Sequence, residues 1–414
     1  MKSSLGKSSP DKSSPGRAIA AGCIVAAGFL FICAVIAIGL AKANPGGKDF
    51  IEYWAAEQGL VHGNPYDRAT TLRIEHDAGF EPGRPEFWYS PPPAILLALP
   101  LGYLSAKTGL ILWTIFHFAC LSLSLWLLWR LHGRPDTLLH LCGYLFAPAV
   151  ICLGAGQISI YFLLGVTLFL TFHQSRPFLA GVALFPCILK PHLFLLFAIV
   201  LLLWIVSRRA YWIAAGFTAA LIAGGAIALL FDPQIWSHYA RMMRTEGMLN
   251  EYIATLSVTL RFLIDRRAAW LQFIPTFVAS SWAIWYFWSR RARWNWMDHG
   301  LLVLLVSVMC APYGWFFDES VLLPAILTGV WRAKLSSRPL WPIALIGAVA
   351  LIEVFQSVNV MSPCYLWTTP AWLGWYLFAT RDSSTKVAAH DSTQANASVK
   401  ELHKALPDSG EPLA

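Results

Sequence analysis

Residues 108–130 read TGLILWTIFHFACLSLSLWLLWR, an apolar run without an acidic side chain and with its only arginine at the end. An α-helix of about 20 apolar residues crosses the hydrocarbon core of a bilayer. Similar runs recur between residues 18 and 380, and the charged residues fall mainly between them. The sequence therefore predicts an all-α polytopic membrane protein.

The overall composition indicates the same class. Hydrophobic residues make up 57% of the 414 residues and charged residues 13%, which is more apolar surface than one soluble core of this length buries. The 20 tryptophans, 13 tyrosines and 25 phenylalanines suit the aromatic belts at membrane–water interfaces. A lipid bilayer is therefore the expected environment.

Charge and cysteine content argue against two other classes. The net charge of +8 is split among short connections rather than gathered on one stripe or helix face, so no nucleic-acid partner is expected. The eight cysteines are scattered singly and show no metal-ligand spacing. We expect no metal site and no required disulfide.

Twelve candidate spans follow from the apolar runs. They are residues 18–41, 108–130, 137–154, 156–174, 177–190, 192–207, 211–231, 268–288, 299–312, 316–332, 339–357 and 363–380. The runs 177–190 and 299–312 are short enough to be broken helices. Residues 91–105 are interpreted as a re-entrant or interfacial helix, because counting them as a span would turn every later arginine cluster outward.

The basic connections set the predicted orientation. With the N-terminus inside, they fall on the cytoplasmic side, as the positive-inside rule requires. They contain Arg130, Arg134, Arg176, Arg208, Arg209, Arg290, Arg291, Arg293, Arg332, Lys334 and Arg338. The first long loop (residues 42–91) and the second long loop (residues 232–267) then face outside, where we expect the active site.

The terminal segments complete the predicted organisation. Residues 1–17 and 381–414 are expected to be disordered cytoplasmic tails that flank a membrane domain over 18–380. A signal peptide is an alternative for the first run, because residues 41–43 (AKA) resemble a cleavage site. The apolar run is about 23 residues long, which is longer than the core of a signal peptide and favours a retained anchor. The prediction is a multi-pass protein of the plasma or inner membrane.

The first long loop opens with KDFIEYWAAE at residues 48–57. If this stretch is helical, Asp49, Glu52 and Tyr53 lie on one face. A carboxylate there can take a proton from a hydroxyl group, and an aromatic ring beside it can stack on a sugar. The alternative is an acidic residue that only interacts favourably with the helix dipole.

Two further polar positions lie between apolar runs. Lys190 precedes Pro191 and His192, and a lysine at mid-membrane costs roughly 2.5–3.5 kcal/mol unless it reaches an interface or an anion. A lipid-linked phosphate is one suitable partner, and ordinary lipid headgroups are the alternative. Gln157 follows a glycine-containing turn and either binds a ligand or satisfies backbone groups.

The second long loop runs against the positive-inside trend. It carries the arginines Arg241, Arg244, Arg261, Arg266 and Arg267. These side chains indicate anion binding, or else pairing with Glu246, Glu251 and Asp265 or with lipid headgroups. No GxGxxG motif, Walker-type loop or DxD triplet occurs in the chain, which disfavours a nucleotide sugar or ATP as a substrate.

In their order and spacing, these segments resemble glycosyltransferase family 87, a GT-C group of integral-membrane enzymes that includes polyprenol-phosphate-mannose-dependent α-1,2-mannosyltransferases. The resemblance covers most of the chain. It is carried by Asp49-Phe50 with Tyr53-Trp54, Gly63 to Asp67, Tyr89 to Pro92, Gly156-Gln157, Lys190-Pro191, Leu256-Ser257 with Arg261, and Ala311 to Trp315 with Asp318 and Pro324.

The resemblance implies a GT-C type helical bundle that moves a hexose, commonly mannose, from a polyprenyl-phosphate carrier to a glycan, lipid or polymer acceptor. It implies that Asp49 is the general base of an inverting displacement. Lys190 and a loop arginine are expected to stabilise the departing phosphate, without a metal or other cofactor. The expected substrate-binding residues are Glu52, Tyr53, Trp54, Tyr89, Gln157, Lys190, His192, Arg261, Trp315 and Asp318.

Two other functions compete with this one. A transporter or flippase for a polyprenyl-linked glycan calls for polar residues within the spans and for repeat symmetry. Here the polar candidates gather at one predicted face, and no internal repeat is evident. A non-catalytic assembly subunit is the third hypothesis, and it predicts that Asp49 is dispensable.

Overall fold

The computed structural model describes residues 34, 38, 39, 41–81, 85–135, 137–246, 252–334, 341–358 and 363–381. The first predicted span and both predicted tails lie almost entirely outside these residues. All regular secondary structure within them is helical, which confirms the predicted all-α class.

The first long loop folds into a short 3-10 helix and two α-helices. These are Pro45–Gly47, α1 (Phe50–His62) and α2 (Arg68–Asp77). The turn between the helices holds Asn64, whose Oδ1 accepts a hydrogen bond from Tyr66 N at 2.9 Å. Asp67 Oδ2 caps α2 by accepting from Thr70 N at 2.9 Å. Helix α1 itself begins directly after Asp49.

Residues 91–105 are helical, as predicted, but in the 3-10 form. Two consecutive 3-10 helices cover Pro92–Leu97 and Leu99–Tyr103. Each has a proline in its first turn, where the missing N–H costs no helical hydrogen bond. Gln58 Nε2 of α1 donates to Leu101 O and Leu104 O, both at 3.0 Å. The segment is thereby fastened to the first long loop.

The apolar part of the chain continues with six α-helices. They are α3 (Ala106–Leu131), α4 (Ala147–Ala155), α5 (Ser159–Phe172), α6 (Pro177–Ala183), α7 (Leu195–Arg208) and α8 (Tyr211–Phe231). Three 3-10 helices are interspersed at Leu138–Leu145, Phe185–Leu189 and Pro191–Phe194. Lys190 lies between the last two.

The second long loop contributes α9 (Ile235–Thr245) and α10 (Leu256–Ile264). Five helices follow: α11 (Ile274–Arg290), α12 (Leu301–Met309), α13 (Leu323–Lys334), α14 (Trp341–Val358) and α15 (Thr368–Thr380). Shorter 3-10 or π turns cover Ala269–Phe273, Arg291–Arg293, Trp296–Gly300, Phe316–Leu322 and Pro363–Trp367.

Within the described residues, three helices are long and apolar enough to cross a membrane: Ala106–Leu131, Pro191–Arg208 and Tyr211–Phe231. A fourth span is possible if Leu138–Leu145 and Ala147–Ala155, which are bent by 49°, act together. The run 177–190 is divided into α6 and a 3-10 helix, and the run 299–312 holds only the short α12. The count of twelve spans stays a prediction.

The buried core starts in the first long loop. Phe50, Ile51 and Tyr53 of α1 are at most 1% exposed. Helix α3 approaches α1 at Gly109, where an added Cβ would lie 3.2 Å from the Phe50 ring and 3.3 Å from the Trp54 ring. The helix that follows Asp49 is therefore packed into the apolar bundle, which fixes the position of that carboxylate.

Helices α6 and α8 cross through two glycines. A Cβ on Gly181 would lie 1.9 Å from Ile213 O, and a Cβ on Gly216 would lie 2.0 Å from Phe178 O. Small residues allow this close approach of two backbones where the surrounding lipid supplies no hydrophobic drive for helix association. Dispersion contacts between the closely spaced helices hold this part of the bundle together.

Candidate active site

Asp49 is exposed at the beginning of α1 and is held by a residue more than 100 positions away. Gln157 Nε2 donates to Asp49 Oδ2 at 2.9 Å, and Tyr53 Oη donates to Gln157 Oε1 at 2.5 Å. Asp49 and Tyr53 therefore share one partner, which confirms that they lie on the same face of the helix. The condition for this shared face is met, because the stretch is helical from Phe50 to His62.

The chemistry of Asp49 and Tyr53 determines which atom donates in each of these two hydrogen bonds. A carboxylate only accepts, so the amide nitrogen of Gln157 must face Asp49, and the amide oxygen then faces the Tyr53 hydroxyl. In the described part of the chain, no other side chain donates to Asp49. One carboxylate oxygen is thus engaged, and the other remains free to accept a proton.

Gly156 places Gln157 beside α1. It ends α4 with φ +79°, a left-handed conformation that favours glycine. A Cβ there would lie 2.7 Å from Phe50 Cβ, so any other residue would push α1 away. Trp113 Nε1 fixes the turn by donating to Gly156 O at 2.7 Å. The glycine and the tryptophan together bring Gln157 to Asp49.

Tyr53 and Trp54 are positioning residues in this structure rather than open sugar platforms. Tyr53 is 0% exposed; its ring stacks on Trp113 with centroids 5.5 Å apart and meets the edge of Trp88 at 5.4 Å. Trp54 is 8% exposed and donates its Nε1 to Leu104 O at 2.9 Å. Both side chains hold α1 in place.

Glu52 lies on the same helical face as Asp49. Burial raises the pKa of Glu52 to about 8, and the negative charge of Asp49 adds to the shift, whereas the Tyr53 hydroxyl and the charge of Lys190 oppose it. Glu52 therefore keeps its proton at neutral pH. In that form it does not compete with Asp49 for the proton of a substrate hydroxyl.

A second cluster surrounds Lys190. Its Nζ donates to both carboxylate oxygens of Asp318, at 2.8 and 3.0 Å. Ser159 Oγ donates to Asp318 Oδ1 at 2.6 Å, and Trp315 N donates to Asp318 Oδ2 at 2.9 Å. The Asp318 side chain is 1% exposed and that of Lys190 13% exposed. The lysine is thus a nearly buried cation whose charge is compensated by a fully hydrogen-bonded acid.

Residues 157–159 connect the two clusters. Gln157 contacts Asp49, and Ser159, two positions later, contacts Asp318. Lys190 also acts electrostatically on Glu52. The carboxylate at the beginning of α1 and the lysine 141 positions later are thus linked through this short segment, and their joint role in one site stays a prediction.

The aromatic residues near Lys190 form one wall of this site. His192 stacks on Tyr313 with ring centroids 3.8 Å apart, and its buried Nε2 has no hydrogen-bond partner among the described residues. Trp315 is half-buried and stacks on Phe317, whose ring centroid lies 4.8 Å from Lys190 Nζ. A buried ring nitrogen without a described partner thus lies two positions after Lys190.

Tyr89 and Arg261 hold the second long loop. Tyr89 Oη donates to Glu246 O at 2.9 Å, which joins the two long loops. Arg261 is 3% exposed and donates to Arg266 O and to Gln272 Oε1, both at 2.8 Å. These contacts make Arg261 part of the loop framework, and none of them brings it to Lys190.

Of the predicted pairing partners of the loop arginines, Glu246 takes another role and Asp265 accepts a hydrogen bond from Arg267 N at 2.9 Å. Glu246 forms an ion pair with Arg68 of the first long loop at 2.8 Å, and Glu251 lies outside the described residues. Glu353, an acid in an apolar run, accepts from Ala147 N at 3.0 Å and is thereby paired to a neighbouring helix.

The sequence analysis did not identify Ser159, which donates to Asp318. Its only signal in the sequence is its position two residues after Gln157.

These features define an all-helical membrane protein with a free carboxylate and a compensated lysine in one site, the groups that acid–base and phosphate chemistry require. The model of glycosyltransferase family 87 matches residues 87–312, more than half of the 414-residue chain. The protein belongs to glycosyltransferase family 87, as its sequence predicted. No curated protein and no solved structure matches the chain.

Family membership makes the protein a membrane glycosyltransferase. The matched region includes Gln157 and Lys190, whereas Asp49 precedes it and Asp318 follows it. The two acids join the matched region through the hydrogen bonds of Gln157 and Ser159.

The protonated state of Glu52 can be tested through stability. The folded protein holds this proton up to about pH 8, whereas the unfolded chain releases it near 4.5. The stability that the protonated form contributes is present below the unfolded pKa and is lost as the pH rises through the folded pKa. We expect wild-type protein to lose more thermal stability than Glu52→Gln between about pH 6 and about pH 9, measured by unfolding in detergent.

Glu81→Gln is the matched control, because Glu81 is an exposed carboxyl group of the same loop. This variant should follow the wild type across the pH range. If Glu52→Gln also follows the wild type, the raised pKa of Glu52 is wrong.

Proposed function

We propose that this family 87 member transfers a hexose, in the first instance mannose, from a polyprenyl-phosphate carrier to a glycan, lipid or polymer acceptor at the outer face of the plasma or inner membrane. The observation that supports this most strongly is the Asp49 carboxylate, which has one oxygen held by Gln157 and the other free. It is joined through residues 157–159 to the compensated cation Lys190.

Asp49 is the general base in the proposed reaction. The acceptor hydroxyl oxygen attacks the anomeric carbon while its proton passes to the free oxygen of Asp49. The bond between the anomeric carbon and the phosphate oxygen breaks, and its electron pair leaves with the lipid phosphate. A single displacement of this kind inverts the anomeric configuration. Gln157 and Tyr53 keep the carboxylate oriented throughout.

Lys190 stabilises the departing phosphate. An ammonium group has three donors, of which two are used by Asp318 at 2.8 and 3.0 Å. The third donor is free for the negative charge that develops on the phosphate, in a largely water-excluded site where such an interaction is strong. His192 Nε2 is a second nearby group for the same oxygens. The proposal uses no metal or other cofactor.

Substitution of the base provides the direct test. We expect Asp49→Asn to lower the transfer of labelled mannose from polyprenyl-phosphate-mannose by roughly 10²- to 10⁴-fold, because an amide cannot accept the hydroxyl proton. Transfer is measured with purified protein in vesicles. Asp77→Asn, an exposed acid at the end of α2, is the matched control and should retain wild-type transfer.

Two results contradict this proposal. Undiminished transfer by folded Asp49→Asn protein removes the base from the mechanism and favours a role in assembly. A wild-type protein that transfers no lipid-linked sugar, but moves a polyprenyl-linked glycan between leaflets, is a flippase instead.

The proposed orientation has its own test. Glu81 is exposed in the first long loop, and Ser175 is exposed in the connection that carries Arg176. We expect Glu81→Cys to react with a membrane-impermeant thiol reagent in intact cells, because the positive-inside rule puts this loop outside. Ser175→Cys should react only after permeabilisation. The reverse pattern, corrected for wild-type labelling, contradicts the assigned orientation.

A further inference from the structure

A cavity of about 200 Å³ lies between the two long loops, and we call it the interloop cavity. Its apolar wall is formed by Tyr66, Phe87 and Met242. Its polar rim includes Asn64, Arg241 and Thr245. A bound water needs roughly 10–15 Å³, so the space exceeds a single water site by an order of magnitude.

The interloop cavity has an apolar base and a polar rim. Tyr66, Phe87 and Met242 are 8%, 2% and 2% exposed, so they form a firmly packed base. The Tyr66 ring packs against Tyr239 with centroids 5.6 Å apart. An aromatic base with a few polar groups around it is typical of sites for small polar ligands. A sugar ring, with apolar C–H faces and a hydroxylated edge, has the matching chemistry.

The charges around the interloop cavity are largely compensated. Arg68 Nη1 donates to both carboxylate oxygens of Glu246, at 2.8 and 2.9 Å. His238 forms a 2.6 Å hydrogen bond with Asp232, and Asp67 caps α2. The lining also holds Arg241, whose charge is opposite in sign to that of Asp67. Groups that pair or offset one another in this way retain hydrogen-bonding capacity but carry little net charge. This balance favours a neutral hydroxylated ligand over an anion.

A four-residue segment separates the interloop cavity from the candidate active site. Phe87 lines the cavity, whereas the next residue, Trp88, packs on Tyr53. Tyr89 Oη then returns to Glu246 O on the cavity side, and Ser90 Oγ donates at 2.9 Å to Leu189 O, next to Lys190. A molecule that occupies both spaces must therefore be longer than one sugar residue.

We propose that the interloop cavity is an acceptor subsite that binds a neutral sugar residue adjoining the one that is glycosylated. The acceptor is then a glycan of at least two sugar residues. This assignment rests on the proposed function for its relation to Asp49, but binding of a sugar in the cavity does not require transfer.

Filling the interloop cavity tests the proposal. Thr245 is the last residue of α9, is exposed, and among the described residues bonds only carbonyl groups of its own helix. Thr245→Trp therefore fills space without removing a described contact between elements. Ser237→Trp is the matched control, because Ser237 is exposed on the same helix and does not line the cavity. The probes are α-mannobiose and methyl α-mannoside, whose binding to full-length protein in nanodiscs is measured by saturation-transfer NMR.

We expect wild-type protein to bind α-mannobiose more tightly than methyl α-mannoside. Thr245→Trp should weaken mannobiose binding by about tenfold or more, which is the loss of roughly one good contact. Ser237→Trp should leave that binding unchanged. Equal mannobiose binding by Thr245→Trp and Ser237→Trp, or no binding by the wild type, would overturn the subsite.

The two proposals fail in different ways. A wild-type protein that binds mannobiose in a Thr245-dependent manner, yet transfers nothing from polyprenyl-phosphate-mannose, overturns the proposed function and supports a sugar-binding cavity. A protein that transfers mannose with the same acceptor KM in wild type and Thr245→Trp overturns the cavity assignment and supports the proposed function.

Discussion

The amide of Gln157 is the interaction on which the site depends. It accepts a hydrogen bond from Tyr53 and donates one to Asp49. Because the Tyr53 ring is buried, Gln157 is held in place and in turn orients the exposed carboxylate. The contact exists only because Gly156 takes a left-handed conformation and lies against Phe50 without a Cβ. Because α1 is buried up to Phe50, the exposed carboxylate that precedes it has a fixed attachment point.

The Lys190–Asp318 pair constrains the other half of the site. Taking two charges out of water is expensive, and a buried pair of this kind is weak evidence for stability, but loss of one partner leaves an uncompensated charge that costs roughly 3–5 kcal/mol. Ser159 and Trp315 N satisfy the remaining lone pairs of Asp318. The ammonium group is thus held by an acid in a place where water screens it little, which suits an interaction with phosphate.

The sequence predicts those features that depend on local spacing. The all-α class and the shared face of Asp49 and Tyr53 on the helix after Asp49 follow from neighbours a few positions apart. The contacts of Gln157 and Lys190 span 108 and 128 positions, and only the tertiary packing creates them. The 3-10 form of residues 91–105 also escaped prediction, because prolines and packing on α1 override the apolar pattern.

In the proposed mechanism, Tyr53 acts on the reaction through Gln157 and Asp49. A double-mutant cycle of Tyr53→Phe and Asp49→Asn, read as kcat for mannose transfer from polyprenyl-phosphate-mannose, measures this coupling most directly. Loss of the Tyr53 hydrogen bond should lower kcat roughly tenfold in the native background and cause no further loss in the Asp49→Asn background. Independent, additive losses would contradict the account.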